Sequence, residues 1–351
     1  MKKIISILLL VLLVAALFAG CAPKTPSPAP TNTAPANTTP ASQEPTTGKV
    51  KTGLAIITSI ASSKDAGEAD GLAQADSLIA AVIVDANGKI VDCAIDAAQT
   101  KVNFNAYGQL VTERDTEFKT KNELGADYGM KKASGIGKEW YEQAEGFAAY
   151  VIGKTAAEVR GIAVDEEGRA GGSDLKATIT VHIGDFIEVV AKAAENAQDL
   201  GAAATDKVSL GTVTNIANSK HAGDSEGFAQ IYSTYTAVTR DSAGKITSCI
   251  IDASQSNINF DAKGKISTDI SAPVASKNEL GDAYGMKKAS SIGKEWYEQA
   301  AAFAKYVTGK TASEVAGISV DEEGLAADTD LKASVTIHVG DFKSVLAKAL
   351  A

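Results

Sequence analysis

The stretch YGMKKASGIGKEWYEQA at residues 128–144 returns as YGMKKASSIGKEWYEQA at residues 284–300. The offset is 156, and it holds without a gap from residues 51–195 to residues 207–351. Gly88 meets Gly244, Cys93 meets Cys249, Phe104 meets Phe260, and His182 meets His338. Over 121–151 against 277–307, 25 of 31 residues are identical. The chain therefore holds two copies of one unit. Solenoids repeat every 20–50 residues, whereas a unit of about 145 has the size of a domain. The expected organisation is two tandem globular domains, residues 49–198 and 206–351. The joint near 196–206 is short, so the domains touch or hold a restricted angle.

Within one copy, residues 80–96 read AAVIVDANGKIVDCAID. Two Val/Ile-rich runs flank a Gly-containing turn, which is a hairpin signal. A second short turn is expected around Asn105 and Gly108. Residues 137–152 read as a helix with Trp140, Ala144, Phe147 and Val151 on one apolar face, stopped by Gly153. Thr155 and Glu158 form a capping box opening a short helix, repeated as Thr311 and Glu314. Residues 174–194 are open to two readings. Ala177, Ile179, Val181 and Ile183 alternate like a strand, while Ile179, Ile183, Phe186 and Val190 share one helical face. The helix, beginning shortly after Asp174, is the preferred reading, with 176–183 and 332–339 the ambiguous parts. Strands followed by helices in each copy predict an α+β domain, a small antiparallel sheet with packed helices.

The N-terminal region has a different character. Lys2 and Lys3 precede an apolar run to Phe18, then Ala19, Gly20 and Cys21. This is a secretory signal over residues 1–20, too short for a membrane span of roughly 20 apolar residues. Phe18-Ala19-Gly20-Cys21 resembles a bacterial lipoprotein signal, which implies lipidation of Cys21 and a place in the cell envelope, at the outer face of the cytoplasmic membrane or on another envelope membrane. Residues 21–48 hold seven of the eight prolines. Such a segment cannot bury enough apolar surface to order itself. As an extended tether it reaches up to roughly 80 Å. The formal net charge of −9 argues against nucleic acid or an anionic lipid surface as partner.

The order of elements in each copy is similar to that of the FMN-binding domain family of extracytoplasmic electron-transfer proteins. That order is a strand pair with a Gly-Lys turn, a Trp-bearing helix, a Gly-Lys-Thr segment, and a closing amphipathic helix after an Asp. The family signature, Asp-x-x-(Ser/Thr)-Gly-Ala-(Ser/Thr), corresponds here to Asp174-Leu-Lys-Ala-Thr-Ile-Thr180 and Asp330-Leu-Lys-Ala-Ser-Val-Thr336. The resemblance implies FMN beside Asp174, Thr180, Asp330 and Thr336, with Trp140 and Trp296 nearby and a redox partner. In the family the final Thr carries FMN through a phosphoester. Thr178-Ile179 and Ser334-Val335 stand where the family keeps Gly-Ala, which points to flavin held noncovalently or lost. The alternative is a non-catalytic envelope module that binds a small ligand or a partner, or acts as a spacer, without flavin. Asp174 and Asp330 are then helix N-caps, and the tryptophans are core residues.

Other candidates carry weaker chemistry. Lys131-Lys132 and Lys287-Lys288 precede a helix and suit a phosphate. One histidine per copy, His182 or His338, makes a poor metal site. Asp165-Glu166-Glu167 lacks the spacing of a calcium loop. Cys93 is expected to share a buried strand face with Val91 and Ile95. A disulfide to Cys249 requires the strand faces of the two copies to meet, which tandem domains rarely achieve. No nucleophile–base arrangement is present.

Overall fold

The computed structural model describes residues 49–351; the signal segment, Cys21 and the tether expected over 1–48 lie outside the described residues. Strand β1 is Lys51–Ser59, β2 is Gly71–Val84 and β3 is Ile90–Phe104. They form an antiparallel sheet in the order β1-β2-β3. The second copy repeats it with β4 (Lys207–Asn215), β5 (Gly227–Arg240) and β6 (Ile246–Phe260). The expected α+β class is what the chain adopts in both halves.

The pleat of β2 explains its near-continuous apolar run. Ala80, Val82 and Val84 pack against helices on one face, and Ile79, Ala81 and Ile83 pack on the other. A strand covered on both faces loses the polar alternation of a half-exposed one. The β2–β3 turn closes where expected: Asp85 Oδ1 accepts from the Asn87 and Lys89 amides at 2.8 and 2.9 Å, and Gly88 has φ +74°.

That second face meets the other half. The two sheets pack face to face, giving helix, sheet, sheet, helix layers. One shared cluster joins Leu54, Ile79 and Ile83 to Val208, Tyr235 and Ala237. Another joins Val102 and Phe104 to Ile258 and Phe260. The Phe104 and Phe260 rings stack at 4.2 Å and 2°. The contacts obey a pseudo-twofold. Ala66 N donates to Gly264 O at 2.8 Å and Ala222 N to Gly108 O at 2.7 Å. Lys192 pairs with Glu279, and Lys348 pairs with Glu123 at 2.6 Å. Each half nevertheless keeps its own strands and its own helix-side core.

The strand faces therefore do meet, contrary to the expectation for tandem domains. The cysteines are on the wrong side for a bridge. Cys93 and Cys249 both face the helices and are free thiols. Nor does Cys93 share a face with Val91. Ile83 pairs with Asp92 but Val84 with Ile90, so Val91 is the extra residue of a β-bulge. A bulge reverses the facing of the residues beyond it: Val91 packs with Ala94 between the sheets, and Cys93 with Ile95 under the helices.

The helix layer of repeat 1 comprises α1 (Lys121–Leu124), α2 (Trp140–Tyr150), α3 (Ala156–Arg160), α4 (Ser173–Lys176) and α5 (Gly184–Glu195). Repeat 2 has α6 (Lys277–Leu280), α7 (Trp296–Val307), α8 (Ala312–Ala316), α9 (Thr329–Lys332) and α10 (Gly340–Ala349). The capping boxes at Thr155/Glu158 and Thr311/Glu314 are formed. Helix α2 starts at Trp140 rather than 137, because Glu139 and Glu142 make a further capping box there.

The single helix expected over 174–194 is instead two, α4 and α5, with 177–183 neither helix nor strand. The side chain of Gln143 breaks it. Gln143 Oε1 accepts from the Thr180 amide at 2.8 Å and the Val181 amide at 3.3 Å, so those amides are satisfied without a helix. Gln299 does the same for Thr336 at 2.8 Å. Asp174 and Asp330 are not N-caps. Gly172 and Asp328 hold those positions, and the Asp328 side chain accepts from the Asp330 and Leu331 amides.

Gly53 lets α5 lie on β1. A Cβ there would sit 1.9 Å from the Ala193 carbonyl oxygen, and one at Gly211 2.2 Å from that of Val345. Gly53→Ala is expected to destabilise by roughly 1–3 kcal/mol, read as a lower urea midpoint at unchanged m-value.

Candidate functional site

The helix layer does not cover the whole sheet. In repeat 1 it leaves a cleft of about 360 Å³ between β1–β3, α1, α2 and the start of α5. Its walls include Asp76, Gln99, Lys121, Tyr128, Trp140 and His182. Asp76 stands on the helix-facing side of β2, by the parity that puts Ala80 and Val82 there. Its carboxylate is fixed: Gln74 Nε2 donates to both oxygens at 2.8 Å and Gln99 Nε2 to Oδ1 at 3.0 Å. Lys121 is carried by α1, capped by Thr120 and Glu123. Its ammonium lies 4.8 Å from the Tyr128 ring centroid and 5.0 Å from that of Trp140. Two aromatic faces attract a cation by their quadrupoles. Among the described residues Lys121 Nζ has neither an ion pair nor a hydrogen bond within the protein.

The equivalent place in repeat 2 is filled. Tyr232 replaces Asp76 and projects from β5 over α6 and α7. Lys277 Nζ donates to Tyr232 OH at 3.0 Å and sits 4.5, 4.4 and 5.0 Å from the rings of Tyr232, Tyr284 and Trp296. Three aromatic walls bury this lysine to 4% exposure. Burial pulls its pKa down to about 8 against the opposing charges of Asp252 and Asp341. The same burial pushes the Tyr232 phenol up.

The residues singled out by sequence divide between two places. Trp140 is buried at 4% exposure and forms part of the cleft wall; Trp296 takes the same position behind the Tyr232 plug. Asp174 and Asp330 are exposed on α4 and α9 and do not line the cleft. Thr180 is near the cleft in sequence, since Val181 and His182 line it, but its hydroxyl donates to Gln143 Oε1 at 3.3 Å; Thr336 does likewise to Gln299 at 3.2 Å. Ile179 and Val335 are buried at 1% exposure. A Cβ on Gly146 would meet the Thr178 side chain at 3.3 Å. The segment therefore presents no bare backbone, and these residues fit a phosphoester on Thr180 or Thr336 poorly.

Lys131, Lys132 and His182 are exposed. Asp165 is a turn residue: it accepts from the Glu167 and Arg169 amides at 3.1 and 2.9 Å, which holds its carboxyl below its usual range. Among the described residues no three His, Cys, Asp or Glu side chains gather as a metal ligand set. Burial pushes the Cys249 thiol up to about 12 and raises the Cys93 thiol as well, so neither is a ready nucleophile.

A larger groove of about 940 Å³ runs between the linker at Gln198–Leu200 and α7. Strand β6 and two alanines of α7 form much of its apolar lining, while Gln198, Asp199, Asn278, Tyr297, Lys305 and Thr308 make it polar as well. The repeat-1 cleft is set apart by its ammonium placed between two aromatic rings. Sequence reasoning missed Asp76, Lys121 and Tyr128. The signal was available as a mismatch between matching surroundings, KNEL in both copies but Asp76 against Tyr232.

No family model, curated protein or solved structure matches this chain.

Proposed function

We propose that the protein is a non-catalytic ligand-binding module of the cell envelope, with one open site in repeat 1 and a closed counterpart in repeat 2. The observation that carries this reading is the unpaired Lys121 ammonium between two aromatic rings in an open cleft. The cleft's volume lies in the range of small-molecule sites, roughly 300–1,000 Å³. In this reading the lipid on Cys21 and the tether display the module outside the membrane, since two acyl chains anchor stably. No helix among the described residues is long and apolar enough to cross a membrane.

Asp76→Tyr tests the reading by copying the repeat-2 plug into repeat 1. The chain has two tryptophans, hence two indole N–H resonances. A set of small molecules should contain some that move the Trp140 resonance in the wild type and none that move it in Asp76→Tyr. A wild-type Trp140 resonance that no molecule moves removes the reading.

Trp140 in the cleft wall favours a second reading, in which flavin is held noncovalently and the protein transfers electrons. Its test is the visible spectrum of protein purified from its native cells. Yellow colour released by acid supports it. A colourless protein that FMN does not stabilise against heat ends it.

A further inference from the structure

The repeat-2 plug describes what the repeat-1 cleft lacks. The two sites share Lys121/Lys277, Tyr128/Tyr284, Trp140/Trp296, Gln99/Gln255 and His182/His338. They differ at Asp76/Tyr232, the residue that in repeat 2 supplies both a ring and an oxygen to the lysine. The phenol of Tyr232 completes a three-walled aromatic surround, and its oxygen accepts the ammonium's hydrogen bond. In repeat 1 the lysine and two walls remain, and the third wall is open space. Asp76 does not substitute for it, since Gln74 and Gln99 hold its carboxylate and it forms no ion pair with Lys121 among the described residues.

We infer that the repeat-1 cleft binds a phenol-type ligand, a planar aromatic ring with an oxygen that accepts a hydrogen bond from Lys121, in the place that Tyr232 occupies in repeat 2. The inference rests on the binding reading above and narrows it to a ligand class. Two physical terms select the class. The ring adds a third aromatic face to a cation already between two. The oxygen satisfies a charged donor, and a hydrogen bond to a charged group outweighs a neutral one. An aliphatic alcohol provides only the second and a plain arene only the first. With Asp76 and Asp185 both lining the cleft, neutral or cationic phenols are favoured over phenols bearing a carboxylate.

The test uses 4-methylphenol, which is the tyrosine side chain itself, with toluene and cyclohexanol as controls. Each is titrated into the full-length protein while the two indole N–H resonances are followed. 4-Methylphenol is expected to move the Trp140 resonance with one site per chain and leave that of Trp296 in place. Toluene and cyclohexanol bind about tenfold or more weakly, the scale of one charge-assisted hydrogen bond or one aromatic face. Lys121→Met should erase the preference for 4-methylphenol over toluene. Tyr232→Ala should open a second site that moves the Trp296 resonance, and Asp76→Tyr, which only adds the plug, should abolish the first. Equal binding of 4-methylphenol and cyclohexanol at Trp140 overturns the ligand class while the binding site stands. If none of the three probes, nor any other small molecule, moves the Trp140 resonance, the inference and the binding reading fall together.

Discussion

Phe104→Ala is expected to lower stability by about 3–5 kcal/mol, the range for deleting a fully buried aromatic ring, and to unfold both halves together. The ring is 0% exposed, as is Phe260, against which it stacks at 4.2 Å. Its other side rests on the backbone of Gly71, where even a Cβ would come within 2.5 Å of the ring. Long strands paired over their full length hold that backbone, so the cavity has little freedom to collapse, and the cost belongs toward the upper end of the range. Phe260→Ala should match it by the pseudo-twofold. The double variant should cost less than the two singles combined, because the second deletion enlarges a cavity whose stacking contact is already lost. The more informative result concerns cooperativity. Chains carrying only Trp140 or only Trp296, made by Trp→Phe substitution at the other, report each half separately. Coincident urea midpoints for the two are expected in the wild type, because the sheet-to-sheet layer belongs to both halves. Two well-separated midpoints would show that each half stands on its own core and that the shared layer contributes little.

The legible part of this fold was whatever depends on local rules or on direct comparison of the copies. The duplication, the hairpin at Asp85–Lys89 and the capping boxes at Thr155 and Thr311 are short-range facts, and the structure has them where the sequence placed them. The face-to-face packing of the sheets was not legible as such. Its trace was the apolar run through Ile79–Val84, which a strand buried on both faces requires, but a buried strand does not say what buries it. The bulge at Val91 was invisible because it shifts parity by one residue without any unusual residue type. The break after α4 comes from the Gln143 side chain, 37 residues from Thr180, and helical periodicity at Ile179 and Ile183 survives because both side chains still point to the same core. For the site, Trp140 was legible as a large ring at a helix start. Lys121 and Asp76 were not, because their proximity depends on α1 docking against the sheet. Resemblance-based reasoning put the site at Asp174 and Thr180, and the cleft begins one residue beyond Thr180, at Val181.

Stability is expected to rise as pH falls from 7 toward about 5, against the common trend, because of Asp96 and its counterpart Asp252. Both are nearly enclosed at the seam between the halves, at 7% and 5% exposure. Asp96 Oδ1 accepts from the Ala97 amide at 2.7 Å and the Asn122 amide at 3.1 Å, and Asp252 repeats this with Ala253 and Asn278 at 2.7 and 3.0 Å. These bonds and those from Thr120 and Ser276 favour the charged form, but burial outweighs them, and Glu123 and Glu279 add like charge. The result pushes each carboxyl up to about 6. In the unfolded chain an aspartate titrates near 3.9. The folded state therefore holds these protons more tightly, and between pH 6 and 4 each aspartate adds stability as it is protonated. The difference between the folded and unfolded values corresponds to roughly 3 kcal/mol per aspartate. Below about pH 4 the trend reverses. Asp65, Asp165, Asp261 and Asp269 are held below their usual range, chiefly by backbone or side-chain hydrogen bonds, and protonating such groups removes a folded-state preference. A maximum of the urea unfolding free energy between about pH 4 and 6 is the expected profile. The double variant Asp96→Asn/Asp252→Asn, whose side-chain oxygens can still accept the same amides, should flatten the rise between pH 7 and 5 while keeping the fall below 4. A wild-type free energy that declines steadily from pH 7 downward would mean that the hydrogen bonds, and not burial, dominate at the two aspartates.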